Sequence, residues 1–138
     1  MDDKNFYMME EGTLTKKVFF YRKNGSLIFA LEEDEQPKEV EKVGEVVYTL
    51  LRPNWRLLNT IRSMASNATM FGTSAVDPYI LKNLVVQYLL RDWSLDRKFK
   101  IVNEGGFDVI ENVAELTGSK IDPAIFDAIV QIYNRFLA

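Results

Sequence analysis

The most restrictive feature of the sequence is an Asn24-Gly25 pair between two runs of strand-forming residues, Val18-Phe19-Phe20-Tyr21 and Leu27-Ile28-Phe29-Ala30-Leu31. A two-residue type I′ turn requires positive φ angles at both central positions, which Asn and Gly tolerate. The spacing therefore predicts a β-hairpin over residues 17–32. In this register three pairs face each other across the strands: Arg22 and Leu27, Phe20 and Phe29, and Val18 and Leu31.

Both faces of the predicted hairpin are apolar. One face holds Phe20 and Phe29, and the opposite face holds Phe19, Tyr21 and Ile28. A ribbon with one face in water alternates apolar and polar residues, and this one does not, so both faces need cover. Two arrangements satisfy that requirement. Either the sheet is buried on both sides within its own domain, or helices cover one side and a partner chain covers the other.

A third strand and a first helix follow the hairpin. Residues 45–51 are rich in Val and Tyr, which favours a strand, and Pro53 then ends it because proline has no N–H to donate to a neighbour. Apolar residues at helical spacing from Trp55 through Ile61 predict a helix over about 55–66. We therefore predict a three-stranded sheet before the first helix.

Two later helices share one start signal, an Asp followed by a Pro. Asp77-Pro78 and Asp122-Pro123 each place a carboxylate where it accepts hydrogen bonds from free backbone N–H groups, with proline at the first helical position. The first of these helices is predicted to run to about Trp93 and the second to about Leu137. The second has an apolar stripe wide enough for a core face plus an interface.

A further helix is predicted over residues 107–117, because apolar residues recur at helical spacing and Gly118 follows as a C-terminal cap. The predicted fold class is therefore α+β: a small antiparallel sheet with an N-terminal hairpin, followed by a bundle of about four helices. The 138 residues form one predicted domain. Residues 1–51 are its β-rich part, with an acidic loop at 32–45, and residues 52–138 are its helical part.

The residue types limit the chemistry. The chain has no histidine and no cysteine, so it lacks the usual general base near neutral pH, the thiolate nucleophile and the two commonest zinc ligands. It also has no phosphate-binding glycine motif and no calcium-loop spacing. We therefore predict no catalytic, cofactor-binding or metal-binding residues, and no enzyme. The densest polar cluster, Arg91-Asp92-Trp93, is interpreted as the solvated end of a helix. A small-molecule-binding domain or an enzyme that uses this carboxylate is the alternative class.

Charge is unevenly distributed along the chain. The net charge is −3, and residues 1–45 carry eleven acids and seven bases, whereas residues 46–138 carry nine acids and ten bases. The acidic loop at 32–45 is interpreted as a solvated loop, with a face for a basic partner protein as the alternative. No dense stripe of Lys and Arg is present, which argues against a nucleic-acid partner.

Nothing in the sequence indicates a membrane protein. Residues 1–12 are acidic and lack the apolar core of a signal peptide, and no apolar run approaches the roughly 20 residues that span a bilayer. The absence of cysteine fits a reducing compartment. We therefore expect no membrane partner and a cytoplasmic location.

The order of parts resembles a family of phage proteins. A β-rich start, then Arg52-Pro53-Asn54-Trp55, then Tyr88-Leu89-Leu90-Arg91-Asp92-Trp93-Ser94-Leu95 and a helical end, is similar to tail assembly chaperones and related small assembly proteins of tailed bacteriophages. The resemblance covers residues 51–138. It implies a small, mostly helical protein that binds a tail component during morphogenesis in the host cytoplasm. A permanent subunit of the virion, in the tail, neck or capsid region, is the alternative.

The predicted mode of action is protein binding through apolar surfaces of the hairpin and the final helix. Excess apolar surface in both segments, without a recognisable site motif, indicates an interface. The partner is expected to be a phage tail or virion component, and the same surfaces suit a homo-oligomer. The predicted interface residues are Phe19, Tyr21, Ile28, Phe126, Val130 and Tyr133.

Overall fold

A computed structural model of the chain describes residues 12–68 and 74–138, so the prediction for residues 1–11 lies outside the described residues. The strands of the described ranges form three antiparallel sheets: a main sheet in the order β2-β1-β3-β6 and two ribbons, β4-β5 and β7-β8. These strands are β1 (Thr13–Lys23), β2 (Ser26–Ala30), β3 (Glu41–Leu51), β4 (Ser66–Ala68), β5 (Ser74–Val76), β6 (Leu90–Trp93), β7 (Ile101–Glu104) and β8 (Phe107–Ile110).

The helices of the described ranges are shorter than predicted. They are α1 (Trp55–Ala65), α2 (Pro78–Leu89), α3 (Val113–Thr117) and α4 (Pro123–Ile132), and α4 continues into a π-helical turn (Tyr133–Leu137). Because α3 has 5 residues, only α1, α2 and α4 exceed two turns within the described part of the chain. The fold is α+β, but the predicted bundle of about four helices is wrong.

The largest difference falls at residues 107–117, where strand β8 and the short helix α3 replace the predicted helix. Gly105 and Gly106 have φ angles of 61° and 87° and make the turn that joins β7 to β8. Asn112 has a φ angle of 58°, so the backbone takes a left-handed conformation directly before α3. The two-glycine turn therefore favours a hairpin over a helical start, and the left-handed residue delays the helix.

The N-terminal hairpin forms at the predicted turn. The Asn24-Gly25 pair has φ angles of 51° and 80°, the positive values that a type I′ turn requires. Arg22 pairs with Leu27 and Phe20 pairs with Phe29, which confirms this part of the predicted register. Strand β3 lies on the other side of β1, so β2 is left at one edge of the main sheet.

The opposite edge strand, β6, comes from a segment predicted to be helical. Helix α2 ends at Leu89, and Leu90 is extended, with a φ angle of −68° and a ψ angle of 124°. Tyr48 of β3 then pairs with Trp93. This pairing supplies backbone hydrogen bonds and buries the side chains of Leu90 and Trp93, which together outweigh helix propensity. The main sheet consequently has four strands instead of the predicted three.

Among the described residues, the helices pack on one face of the main sheet. Helices α2 and α4 pack against the strand positions that point to this face, and the opposite face carries exposed Thr15, Lys17 and Asp92. A strand places successive side chains on opposite faces, so the covered face takes alternate residues of β1 and β3. The buried residues on that face are Val18, Phe20, Val46, Tyr48 and Leu50.

Helices α2 and α4 begin where the sequence predicts. A side-chain oxygen of Asp77 accepts a hydrogen bond from the N–H of Tyr79 at 2.9 Å. A side-chain oxygen of Asp122 accepts one from the N–H of Ala124, also at 2.9 Å. Both Asp-Pro start signals are confirmed, because each carboxylate satisfies a backbone donor that has no partner within the helix.

Candidate protein-binding surfaces

The six predicted interface residues are not brought together by the fold. The hairpin members lie on the sheet face away from the helices, whereas the members in the final helix belong to the layer on the other face. Their exposure also differs. Three are buried within the chain: Tyr21, Phe126 and Tyr133. Three are partly exposed: Phe19, Ile28 and Val130.

The apolar stripe of the final helix serves mainly the core. The ring of Phe126 lies 5.9 Å from the ring of Trp93, measured between centroids, and both side chains are buried. Tyr133 is buried in the same cluster. The exposed aromatic residue of this segment is Phe136, which has the ammonium group of Lys16 5.2 Å above its ring. Interface contact by Val130 stays a prediction.

The outer face of the hairpin keeps part of its apolar surface accessible. Tyr21 pairs with Ile28, and Phe19 pairs with Ala30, so the four side chains form one patch. Tyr21 and Ala30 are buried, although both lie outside the main hydrophobic core. Phe19 and Ile28 therefore remain the accessible members of the predicted hairpin surface.

Helix α1 presents an exposed tryptophan, although the sequence pattern groups Trp55 with Ile61 by helical spacing. Trp55 is 78% exposed, and the buried side of α1 is formed by Leu57, Ile61 and Ala65. These three residues follow a strict four-residue spacing, which is the signal that identifies the buried side. Asn54 caps the helix by accepting the N–H of Leu57 at 2.9 Å, so Trp55 is the first helical residue.

The exposed side of α1 forms a shallow groove of about 380 Å³, which we call the α1 surface. Its lining residues are Trp55, Arg56, Asn59, Thr60, Ser63 and Met64. The guanidinium group of Arg56 lies 5.0 Å from the ring centroid of Phe107, and the ring of Tyr88 meets Phe107 edge-on at 5.8 Å. This stacking fixes the position of Arg56 at the rim of the groove.

The α1 surface is electropositive. Residues 46–76 contain Arg52, Arg56 and Arg62 and no Asp or Glu. Within the described residues none of these three arginines forms an ion pair with a carboxylate. Arg62 follows Trp55 by two helical turns and therefore lies on the same side of α1. The arrangement combines a large apolar side chain with arginines that have no carboxylate partner in the described part of the chain.

A second cleft, of about 300 Å³, lies between α2, α3 and the start of α4. Tyr79 at its rim is 80% exposed. Lys82 and Asp127 form an ion pair across α2 and α4, so the lysine charge at this cleft is compensated. The floor includes Gly118, where an added Cβ atom would lie 2.9 Å from the carbonyl oxygen of Ala114.

Among the described residues, the side chains of Tyr48 and Arg91 have shifted pKa values, and both make hydrogen bonds to backbone carbonyl groups. Burial raises the pKa of Tyr48 far above its ordinary value, and its hydroxyl donates a hydrogen bond to the carbonyl of Ile125 at 2.8 Å. Burial lowers the pKa of Arg91 below its ordinary value, and the negative charge of Asp108 acts in the opposite direction. Arg91 also donates to the Asp108 carbonyl at 2.9 Å.

The cluster Arg91-Asp92-Trp93 is a strand, not the predicted helix end, and its side chains separate. Asp92 is exposed on the outer face of the sheet, 3.8 Å from the ammonium group of Lys98. Trp93 is buried on the other face, where its indole N–H donates to the carbonyl of Arg97 at 2.6 Å. The carboxylate and the indole therefore do not share a site.

Residues 12–68 and 74–138 contain neither a metal-binding cluster nor a membrane-spanning helix. These ranges hold no group of three or more Asp and Glu side chains placed to hold a metal ion. Of the helices described, none combines the length and the apolar character that crossing a membrane requires.

Comparison with known proteins gave no match for this chain. No protein-family model matches it, no curated protein has a significantly similar sequence, and no solved structure is significantly similar.

Proposed function

We propose that the protein is a non-catalytic binding protein of tailed-bacteriophage assembly, and that it holds an acidic segment of a tail component on the α1 surface. The observation that carries this proposal is the exposed indole of Trp55 beside arginines that form no ion pair within residues 12–68 and 74–138. Binding interfaces concentrate their energy in a few aromatic and arginine side chains, and the α1 surface supplies both types.

The chemistry of the groove favours an acidic protein segment as the occupant. Arg56 in the groove lining and Arg62 on the same side of α1 offer planar guanidinium groups that match carboxylates. The lining also offers Asn59 and Ser63 as hydrogen-bonding groups. An apolar side chain of the partner would pack on the indole of Trp55. Complementary charge would also speed encounter and make it salt-dependent.

The phage setting of the proposal rests on the resemblance across residues 51–138. An assembly protein of this kind would work in the host cytoplasm and leave the finished particle. Mass spectrometry of purified phage particles distinguishes this role from that of a permanent subunit. An assembly protein is found in the lysate alone, and a permanent subunit is found in the particle at stoichiometric levels.

The binding proposal is tested with a short synthetic peptide of Asp, Glu and one Phe. In a Trp93→Phe background the remaining tryptophan is Trp55, so its fluorescence reports binding at the α1 surface. We expect saturable binding that weakens with salt, and a loss of roughly fivefold in affinity for Arg62→Glu. Lys120→Glu makes the same charge change on an exposed residue away from α1 and should leave the affinity unchanged.

Two outcomes contradict the binding proposal. One is Trp55 fluorescence that does not change when the peptide is added at low salt. The other is tighter binding of oligothymidylate than of the acidic peptide, because exposed indole and arginine groups also stack on bases. In that case a nucleic-acid partner replaces the acidic protein segment.

The alternative role, a permanent structural subunit, is favoured by a separate observation. Strand β2 leaves one edge of the main sheet without a neighbouring strand in the described part of the chain. Such an edge suits stable contact between subunits.

A further inference from the structure

The turn of the N-terminal hairpin joins two residues that can react with each other. Asn24 is the one asparagine of the sequence that is followed by glycine. Both residues are exposed, and a Cβ atom added at Gly25 would meet no atom within 4 Å. The side-chain hydrogen bond at this turn runs from Arg22 to the Gly25 carbonyl, at 3.3 Å, and leaves the Asn24 amide free within the described residues. The turn therefore has room for its own atoms to rearrange.

The backbone of Asn24 is one rotation away from a reactive geometry. A five-membered imide between Asn24 Cγ and the Gly25 nitrogen closes when ψ of Asn24 is about −120°, the value that the first central residue of a type II′ turn combines with a positive φ. Asn24 already has a φ angle of 51°, so rotation of the peptide group between the two residues converts type I′ into type II′. Both types fit a two-residue hairpin, and glycine accepts the φ angle that each requires. The reactive geometry is therefore reached with the strands still paired.

We propose that the Asn24-Gly25 turn is a site of spontaneous deamidation within the folded hairpin. Hydroxide removes the proton from the Gly25 N–H, and the nitrogen attacks Cγ of Asn24. A C–N bond forms as the bond from Cγ to the side-chain nitrogen breaks, and that nitrogen takes a proton from water and leaves as ammonia. The proton transfer from water regenerates hydroxide, and no oxidant or reductant is consumed.

Water then opens the imide at either of its two carbonyl carbons. Attack at Cγ gives an aspartate with a normal backbone, and its carboxylate lies beside Arg22 and Lys23 in a pair, Asp-Gly, that also forms type I′ turns. Attack at the backbone carbonyl carbon gives isoaspartate, in which the main chain runs through Cγ and is one atom longer. A two-residue turn sets the register of β1 and β2, so the added atom displaces that register. Because β2 is an edge strand held by β1, the isoaspartyl form loosens β2.

Asn112 is an internal control for this chemistry. Its φ angle of 58° is close to that of Asn24. The next residue is Val113, the first residue of α3, so rotation of the intervening peptide group would disrupt the start of the helix. The β-branched side chain of valine also restricts the backbone beside the nitrogen that would attack. A positive φ angle without a following glycine should therefore not be enough for rapid reaction.

The proposal is tested by incubating the folded full chain at mildly alkaline pH and mapping its peptides by mass spectrometry. We expect loss of ammonia at Asn24, followed by gain of water, at a rate at least about tenfold above that at Asn112. Asn24→Gly keeps a pair that forms type I′ turns but has no side-chain amide, so it should show no change at this position. Labelling with protein isoaspartyl methyltransferase identifies the isoaspartyl product.

Hydrogen exchange of the separated products tests the structural consequence. We expect the amides of β2 that bond to β1 to exchange at least about tenfold faster in the isoaspartyl form than in the original protein. Asn24→Asp carries the charge of the normal product on a backbone of unchanged length, so it should keep the original exchange rates. This variant separates the effect of the new charge from the effect of the longer backbone.

Three outcomes overturn the proposal. One is an Asn24 that persists in the folded chain and reacts only in chains unfolded by urea, because the folded turn then prevents the reaction. Another is an equal rate at Asn24 and Asn112, which would remove the role of the glycine turn. The last is an isoaspartyl form whose β2 amides are as protected as those of the original protein, which would show that the turn absorbs the added atom.

Discussion

Replacing Tyr48 by Phe tests how the sheet is joined to the helix layer. The Tyr48 hydroxyl is fully buried and donates a hydrogen bond to the carbonyl of Ile125 in the first turn of α4. The variant removes the donor and leaves part of a buried carbonyl unsatisfied, without changing the ring. We expect it to lower the free energy of unfolding by about 1–2 kcal/mol at neutral pH. For a chain of this size that loss corresponds to about 3–7 °C in Tm.

The same variant should change how stability depends on pH. Burial raises the pKa of Tyr48 above its ordinary value of about 10, so the unfolded chain releases this proton before the folded protein does. Stability from the protonated hydroxyl is therefore complete below about pH 10 and is lost as the pH rises further. The loss from this one group is about 1 kcal/mol between pH 10 and 11. Tyr48→Phe lacks this loss, so its deficit against the original protein should shrink at alkaline pH.

Urea unfolding followed by circular dichroism at pH 7, 10 and 11 measures both effects. Tyr79→Phe is the matched control, because it removes the same hydroxyl from a side chain that is 80% exposed and should change neither quantity. A Tyr48→Phe deficit below about 0.3 kcal/mol at pH 7 would refute the role assigned to the hydrogen bond. A deficit that stays constant up to pH 11 would refute the pKa argument.

Three further predictions concern the helices. Leu89→Ala should destabilise the fold by about 2–5 kcal/mol in the same urea assay because Leu89 is fully buried, and a loss under about 0.5 kcal/mol would show that α2 is peripheral. Asp122→Ala should cost about 1 kcal/mol by removing the cap on the Ala124 N–H, whereas Asp122→Asn should retain most of the stability. Acrylamide should quench Trp55 in a Trp93→Phe variant much more strongly than it quenches Trp93 in a Trp55→Phe variant; equal quenching would contradict the exposure of α1.

The N-terminal hairpin and the helix starts were predictable because their signals are local. The Asn24-Gly25 turn follows from the φ angles that these two residues tolerate, and a two-residue turn then sets the strand register. The Asp77 and Asp122 caps follow from the backbone donors left free at any helix start. No distant part of the chain is needed for either inference.

Both errors lie where strand pairing overrides a helical apolar pattern. Leu90–Trp93 continues a helical apolar pattern, yet it is a strand because β3 offers hydrogen bonds at the open edge of the sheet. Residues 107–117 also have helical spacing, but the glycine turn before them creates the β7-β8 ribbon. Strand β3 is far in sequence from Leu90–Trp93, so spacing alone could not reveal that outcome, whereas β7 directly precedes β8 and the Gly105-Gly106 turn between them was a local signal.

The candidate surfaces also combine features that the local sequence determines with features that tertiary packing determines. The sequence by itself determined that the hairpin and the final helix are rich in apolar residues, because composition and spacing are properties of each segment alone. Only the tertiary structure decided that Tyr21, Phe126 and Tyr133 are buried and that Trp55 is exposed. Burial depends on which elements pack together, and an apolar side chain has the same local pattern whether it faces its own core or a partner.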